Sequence, residues 1–195
     1  MLDWSRHDDL LASSLRLYAY GRPMDCKHIS WIYSTARRIF PAIGVDSEVL
    51  FPLVILHDIG YSAIGKQNPF DTDVRRAHMI KGSQLAGPLM KRKGYLSEII
   101  EKVCELIKVH DNWAFGDHDP FIVNRELGLL NDLDFSWMAT KEGFSSLCNI
   151  LDVQPHDFYY FIAENEKLKN RPFICVETEN IYDCLISERK KDLGI

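Results

Sequence analysis

The stretch Val49-Leu50-Phe51-Pro52-Leu53-Val54-Ile55-Leu56-His57-Asp58-Ile59-Gly60-Tyr61 joins an apolar run to a histidine, an aspartate and, two residues later, a glycine. The run carries no charge after Glu48, which predicts a buried helix, and Gly60 is typical of a helix end. An ionised carboxylate in such surroundings costs several kcal/mol unless a cation or hydrogen bonds compensate it. The His57-Asp58 pair is therefore a candidate metal site.

Further candidate ligands are the histidines and aspartates that continue an apolar helical stripe, because a ligand has to point inward to meet its partners. His110, for example, completes an i, i+3, i+4, i+7 stripe of apolar residues. Between Asp132 and Asp134, the more apolar neighbours on the same helical face favour Asp134 as the inward carboxylate. The resulting set of candidate metal ligands is His28, His57, Asp58, His78, His110 and Asp134.

A core role is the alternative for each of these residues, since a single histidine on an apolar face is more often hydrogen-bonded in the core than bound to metal. His7, His118 and His156 have charged or turn-forming neighbours, which indicates surface or capping positions. Four inward histidines on four helical segments, together with two aspartates, are harder to explain by packing alone. Imidazole and carboxylate together suit Fe, Mn, Co, Ni or Zn, and six ligands exceed what one tetrahedral site consumes.

The order of these residues resembles the H…HD…D signature of the HD-domain superfamily of metal-dependent phosphohydrolases. The resemblance covers roughly residues 20 to 140 and rests on His28, on His57-Asp58 in Leu-His-Asp-Ile-Gly, and on Asp134 in Leu-Leu-Asn-Asp-Leu-Asp-Phe-Ser-Trp-Met. His78 and His110 resemble the two additional histidines of the members that hold two metals. Tyr61 departs from the pattern, because many members have Lys or His after this glycine.

The resemblance and the helical periodicity imply the same fold. Apolar residues recur with helical spacing along nearly the whole chain, and no alternating strand pattern is present. We therefore expect an all-α, single-domain helical bundle over residues 1-195, with its metal site in a central groove. The motif-bearing core would span about 20-140, and further helices would occupy about 141-195.

The ligand set that the resemblance implies is dinuclear. One ion would be held by His28, His57, Asp58 and Asp134, and the second by Asp58, His78 and His110, with Asp58 bridging as the catalytic carboxylate. Two such divalent ions would activate a bridging water as the nucleophile of a phosphohydrolase. Lys66 and Lys81 are the candidate contacts to the phosphate of a small-molecule phosphorylated substrate.

Two other classes of function stay open at this stage. The di-iron oxygenases of the same superfamily cleave C–C or C–P bonds with the same four histidines and two aspartates, and residues 133-136 slightly resemble a segment of the inositol oxygenases. The intervals between the ligands favour the hydrolases. A binding module without turnover is the third class, and the complete ligand set argues against it.

Composition and charge limit the classes of molecule that we expect the protein to bind. The net charge of -5 and the dispersed basic residues argue against stable nucleic-acid binding. Five cysteines without a CxxC pair indicate reduced thiols in a cytoplasmic protein, and the charged N-terminus is unlike a signal peptide. We expect no membrane partner, since no apolar run approaches the roughly 18 residues of a membrane span. The sequence leaves open the substrate, the metal identity, the oligomeric state and the choice between Asp132 and Asp134 as the final ligand.

Overall fold

The computed structural model describes residues 4–64 and 68–195, and this part of the chain contains helices and turns but no strand. The all-α prediction is thereby confirmed. The chain divides into two compact units with the boundary between Asp117 and His118. The prediction of one domain over the whole chain is not tested by this division and stays a prediction.

The first unit contains the helices that carry most of the candidate ligands. They are α1 (Ser5–Gly21), α2 (Met24–Ile43), α3 (Ser47–Leu56), α4 (Tyr61–Ile64), α5 (Thr72–Arg92) and α6 (Ser97–Ile107), followed by a 3-10 turn (Asn112–Phe115). Asp46 caps the N-terminus of helix α3, and its carboxylate accepts a hydrogen bond from the amide of Glu48. It packs against α1, α2, α5 and α6, and all its residues from Val49 to Leu56 are buried, so it is the core of this unit.

The segment Ser47–Ile64 is 18 residues long and, by length and composition alone, apolar enough to cross a membrane. The expectation that no run approaches this length is therefore wrong. In the structure 72% of the segment is buried inside the protein, which is also typical of the core helix of a soluble protein. The absence of a membrane partner stays a prediction.

Gly60 determines how closely α5 approaches the turn after α3. A Cβ atom at this position would lie 1.9 Å from the carbonyl oxygen of His78 and 2.7 Å from the amide nitrogen of Gly82. No side chain fits between backbones that are this close, so only glycine allows the approach. The contact places the His78 turn of α5 directly beside His57 and Asp58.

The second unit contains α7 (Asp119–Val123), α8 (Arg125–Trp137), α9 (Lys141–Leu151), α10 (Pro155–Ala163), α11 (Lys167–Asn170) and α12 (Val176–Leu193). Helix α8 is buried on nearly every side. Asp132 is only 2% exposed and forms an ion pair of 2.6 Å with the fully buried Lys167. Its other oxygen accepts hydrogen bonds from the amide of Ile174 (2.7 Å) and the hydroxyl of Thr178 (2.8 Å).

Asp132 is thus the more deeply buried carboxylate of α8, contrary to the expectation that Asp134 faces inward, whereas the choice of Asp134 as a metal ligand is not tested by these contacts and stays a prediction. Asp132 is buried, whereas Asp134 is only partly buried. The more apolar neighbours of Asp134 do not distinguish the two faces of α8, because most residues on both faces are buried. In a helix that is covered on both faces, the more apolar face does not identify the inward one.

Candidate metal centre

Five of the six candidate ligands lie together in the first unit. His28 belongs to α2, His78 to α5, and His57, Asp58 and His110 to the turns that follow α3 and α6. All five side chains are buried. They form two groups that could each hold a metal ion, His28-His57-Asp58 and Asp58-His78-His110.

The Asp58 carboxylate lies between the two groups and belongs to both. Its Oδ2 is 3.6 Å from Nδ1 of His28 and 3.7 Å from Nε2 of His57. Its Oδ1 is 3.4 Å from Nε2 of His78 and 3.5 Å from Nε2 of His110. Two ligands about 2.1 Å from one tetrahedral ion are about 3.4 Å apart. The donor atoms therefore have the spacing of ligands that share ions, with one Asp58 oxygen facing each site.

Main-chain carbonyl oxygens face the imidazole rings of His57 and His110 closely and that of His78 more loosely. In each case Nδ1 lies near a main-chain carbonyl oxygen of the preceding helical turn. The distances are 3.0 Å from His57 to Val54, 3.4 Å from His78 to Val74 and 2.8 Å from His110 to Ile107. Donation from Nδ1 to a carbonyl puts the lone pair on Nε2, the atom that faces Asp58. This is the arrangement by which proteins fix the tautomer of metal-binding histidines, so the donor set fits divalent transition metals.

Electrostatics keep the centre of this cluster ionised. Burial raises the pKa of Asp58, but His57, the hydrogen bonds of His110 and His78, and Arg22 outweigh burial and hold this pKa well below its usual range. Burial lowers the pKa of His110, yet the hydrogen bond to Asp58 and the nearby carboxylates raise it to about 9. A metal ion must therefore displace a proton from His110 near neutral pH.

Arg22 and Asp25 are buried beside the cluster, and sequence reasoning missed both. The Nη2 of Arg22 donates to Oδ2 of Asp58 at 2.9 Å, and its Nε donates to Asp25 at 2.7 to 2.8 Å. Burial raises the pKa of Asp25 to about 6, although Arg22 opposes the shift. Arg22 follows the last residue of α1 and precedes Pro23, where a loop arginine usually meets solvent, so its burial had no clear sequence signal.

A second buried ion pair adjoins His78. Asp111 lies 2.8 Å from Arg75 and accepts a hydrogen bond from the indole of Trp113 at 3.1 Å, while its Oδ2 is 3.7 Å from Nε2 of His78. The guanidinium carbon of Arg75 also lies 4.5 Å from the ring centre of Trp113. The available signal was the His110-Asp111 dipeptide, but His-Asp occurs five times in the chain, so this pair did not stand out.

The other three predicted site residues are Asp134, Lys81 and Lys66. Asp134 lies on α8 of the second unit, and its role as a ligand stays a prediction. Lys81 is exposed on α5, and Lys66 lies outside the described residues. His7, interpreted above as a surface or capping residue, is fully buried with Nδ1 2.7 Å from the hydroxyl of Tyr95, so that interpretation is wrong.

Comparison with known families gives one match. The family model described as HD domain matches residues 27–153, well over half of the chain. The matched range begins directly before His28 and extends beyond Asp134, so it contains all six candidate ligands. Comparisons with curated proteins and with solved structures find no match.

Proposed function

Because the chain belongs to the HD-domain family, a superfamily of the metal-dependent hydrolase type, we propose that it is a phosphohydrolase that acts on a small phosphorylated molecule with two divalent metal ions. The observation that carries this proposal is the position of Asp58. Each of its carboxylate oxygens lies within 3.4 to 3.7 Å of a different pair of histidines. A carboxylate whose two oxygens face separate histidine pairs is suited to a site for two metal ions.

The roles of the side chains follow from their contacts. His28 and His57 would bind one ion and His78 and His110 the other, with Asp58 shared between them. We propose Asp134 as the additional ligand of the first ion. Two divalent cations held by these residues would supply positive charge that makes water more acidic and neutralises the charge of a phosphate.

The protein supports this chemistry by keeping Asp58 ionised and in place. The charge-assisted hydrogen bond from Arg22 holds Oδ2, and the histidine pairs flank both oxygens. Lys66 and Lys81 remain our proposed contacts to the substrate phosphate. A cytoplasmic location and the lack of nucleic-acid and membrane partners are further proposals, which rest on charge and composition alone.

Metal analysis of protein purified without chelator, paired with a screen of generic phosphoesters and nucleotides, tests the proposal. We expect two ions per chain and a phosphatase activity that chelator removes. The His78→Ala variant should bind one ion fewer. The control variant His7→Ala replaces an equally buried histidine, one whose ring lies beside the hydroxyl of Tyr95, and it should retain both ions. Two iron atoms, an absorbance change with O₂ and no phosphatase activity would instead identify the oxygenase alternative.

A further inference from the structure

Tyr61, the residue that departs from the family pattern, is buried beside the second histidine pair and is 2% exposed. Its ring stacks on the imidazole of His78 with the ring centres 4.1 Å apart and the planes 11° apart. The guanidinium carbon of Arg22 lies 3.6 Å from the centre of the same ring. Two groups this close to the ring centre cannot share one face, so the Tyr61 ring is held between Arg22 and His78.

We propose that Tyr61 is a positioning residue for the second metal site. Its ring would hold the imidazole of His78 in the plane that directs Nε2 towards Oδ1 of Asp58 and Nε2 of His110, which are 3.4 and 3.0 Å away. This inference rests on the proposed dinuclear function. It assigns to Tyr61 the control of the affinity for one of the two ions.

The need for such a residue is visible in the hydrogen bonds of the histidines. The carbonyl contact of the His78 ring is 3.4 Å, compared with 3.0 Å for His57 and 2.8 Å for His110. A contact of this length orients a ring weakly. The last side-chain torsion of histidine also has broad energy minima. Its intrinsic preference therefore does not fix the plane of the His78 ring.

A parallel stack supplies the missing restraint. If the imidazole of His78 turned about its last torsion, its edge would move into the face of Tyr61 at a centre separation of only 4.1 Å. The Tyr61 ring cannot yield in the opposite direction because Arg22 covers its other face. Arg22 is itself fixed by Asp25 and Asp58, so the restraint extends from buried ion pairs to His78.

The same geometry explains why an aromatic ring suits this position. The face of an aromatic ring attracts a cation such as the Arg22 guanidinium, and it also stacks favourably on imidazole. A lysine at position 61 would instead place a second cation against Arg22. The ring rather than the hydroxyl makes both contacts, so phenylalanine should replace tyrosine and an aliphatic residue should not.

The test is a calorimetric titration of chelator-treated, full-length protein with Mn²⁺ alone, with electron paramagnetic resonance to detect a coupled Mn²⁺ pair. In Tyr61→Leu we expect the second Mn²⁺ to bind about 10- to 100-fold more weakly, as when other residues that orient metal ligands are replaced. The first Mn²⁺ should bind as before, and the coupled signal should weaken. Tyr61→Phe should restore both.

The matched control is Tyr33→Leu, which removes a buried tyrosine of the same unit that contacts Phe51 and Asp8 and should leave both ions bound. If Tyr61→Leu does not fold, Tyr61→Met removes the planar ring with a more adaptable side chain. Wild-type affinity for both ions in the aliphatic variant would overturn this inference and leave the proposed function standing. A wild-type protein that binds fewer than two Mn²⁺ ions would overturn both.

Discussion

Replacing Asp132 by asparagine tests the buried ion pair that organises the second unit. The variant preserves the shape of the side chain but removes the charge that faces the Lys167 ammonium at 2.6 Å. The Asp132 carboxylate accepts hydrogen bonds from the Lys167 ammonium on one oxygen and from the Ile174 amide and the Thr178 hydroxyl on the other. The amide group of asparagine would therefore meet a donor whichever way it is turned.

Because Lys167 has no exposed surface, its charge would be left in the interior. Removing one partner of a buried pair costs about 3 to 5 kcal/mol in the free energy of unfolding. For a chain of this size, each kcal/mol lowers Tm by about 2 to 4 °C. We therefore expect Asp132→Asn to lower Tm by about 6 to 20 °C.

Urea denaturation and calorimetry of Asp132→Asn, Lys167→Met and the double variant would measure this effect. Burial raises the pKa of Asp132 and lowers that of Lys167 despite their attraction, so desolvation opposes the pair. Methionine at position 167 would enter the aromatic surroundings of Phe173, whose ring lies 3.6 Å from the ammonium.

The double variant should consequently lose much less stability than the sum of the two single variants. Asp134→Asn is the neighbouring control and should cost less stability than Asp132→Asn. A loss within about 1 kcal/mol for Asp132→Asn, the range of an ordinary substitution, would refute the reasoning from burial.

Three further results are expected. Gly60→Ala should lower stability and weaken binding of the second Mn²⁺, because its Cβ would lie 1.9 Å from the His78 carbonyl; unchanged melting and titration curves would contradict this. The affinity for Mn²⁺ should rise with pH up to about 9 and then level off, because His110, with a pKa raised to about 9, must lose a proton to bind metal. An affinity that stays constant between pH 6 and 9 would exclude this competition between proton and metal. Asp134→Ala should remove the first ion and leave the second, as metal analysis can show, and full metal content would end its assignment as a ligand.

Local sequence predicted the helices and most of the candidate metal centre. Helical periodicity is a short-range property, so the phase of His28, His78 and His110 relative to apolar neighbours could be read without knowing the fold. The apolar run before His57-Asp58 likewise indicated a buried helix end. These five side chains are buried together in the structure.

The failures and omissions concern contacts between distant parts of the chain. The burial of Asp132 depends on Lys167, 35 residues later, and that of Arg22 depends on Asp58, 36 residues later. Charged residues are predicted at the surface by default because isolated burial is costly. Only the tertiary structure shows which of them have a partner that offsets this cost.

Tyr61 shows at a single residue the difference between what the local sequence indicates and what only contacts between distant parts of the chain decide. The sequence showed that a tyrosine stands where many members of the family have Lys or His, but it contained no reason for the difference. The reason lies in two contacts, with Arg22 and with His78, and the second of them depends on Gly60, which lets α5 approach the turn after α3. The identity of each ligand is thus a property of the sequence, whereas the orientation of its ring depends on which helices meet and how closely.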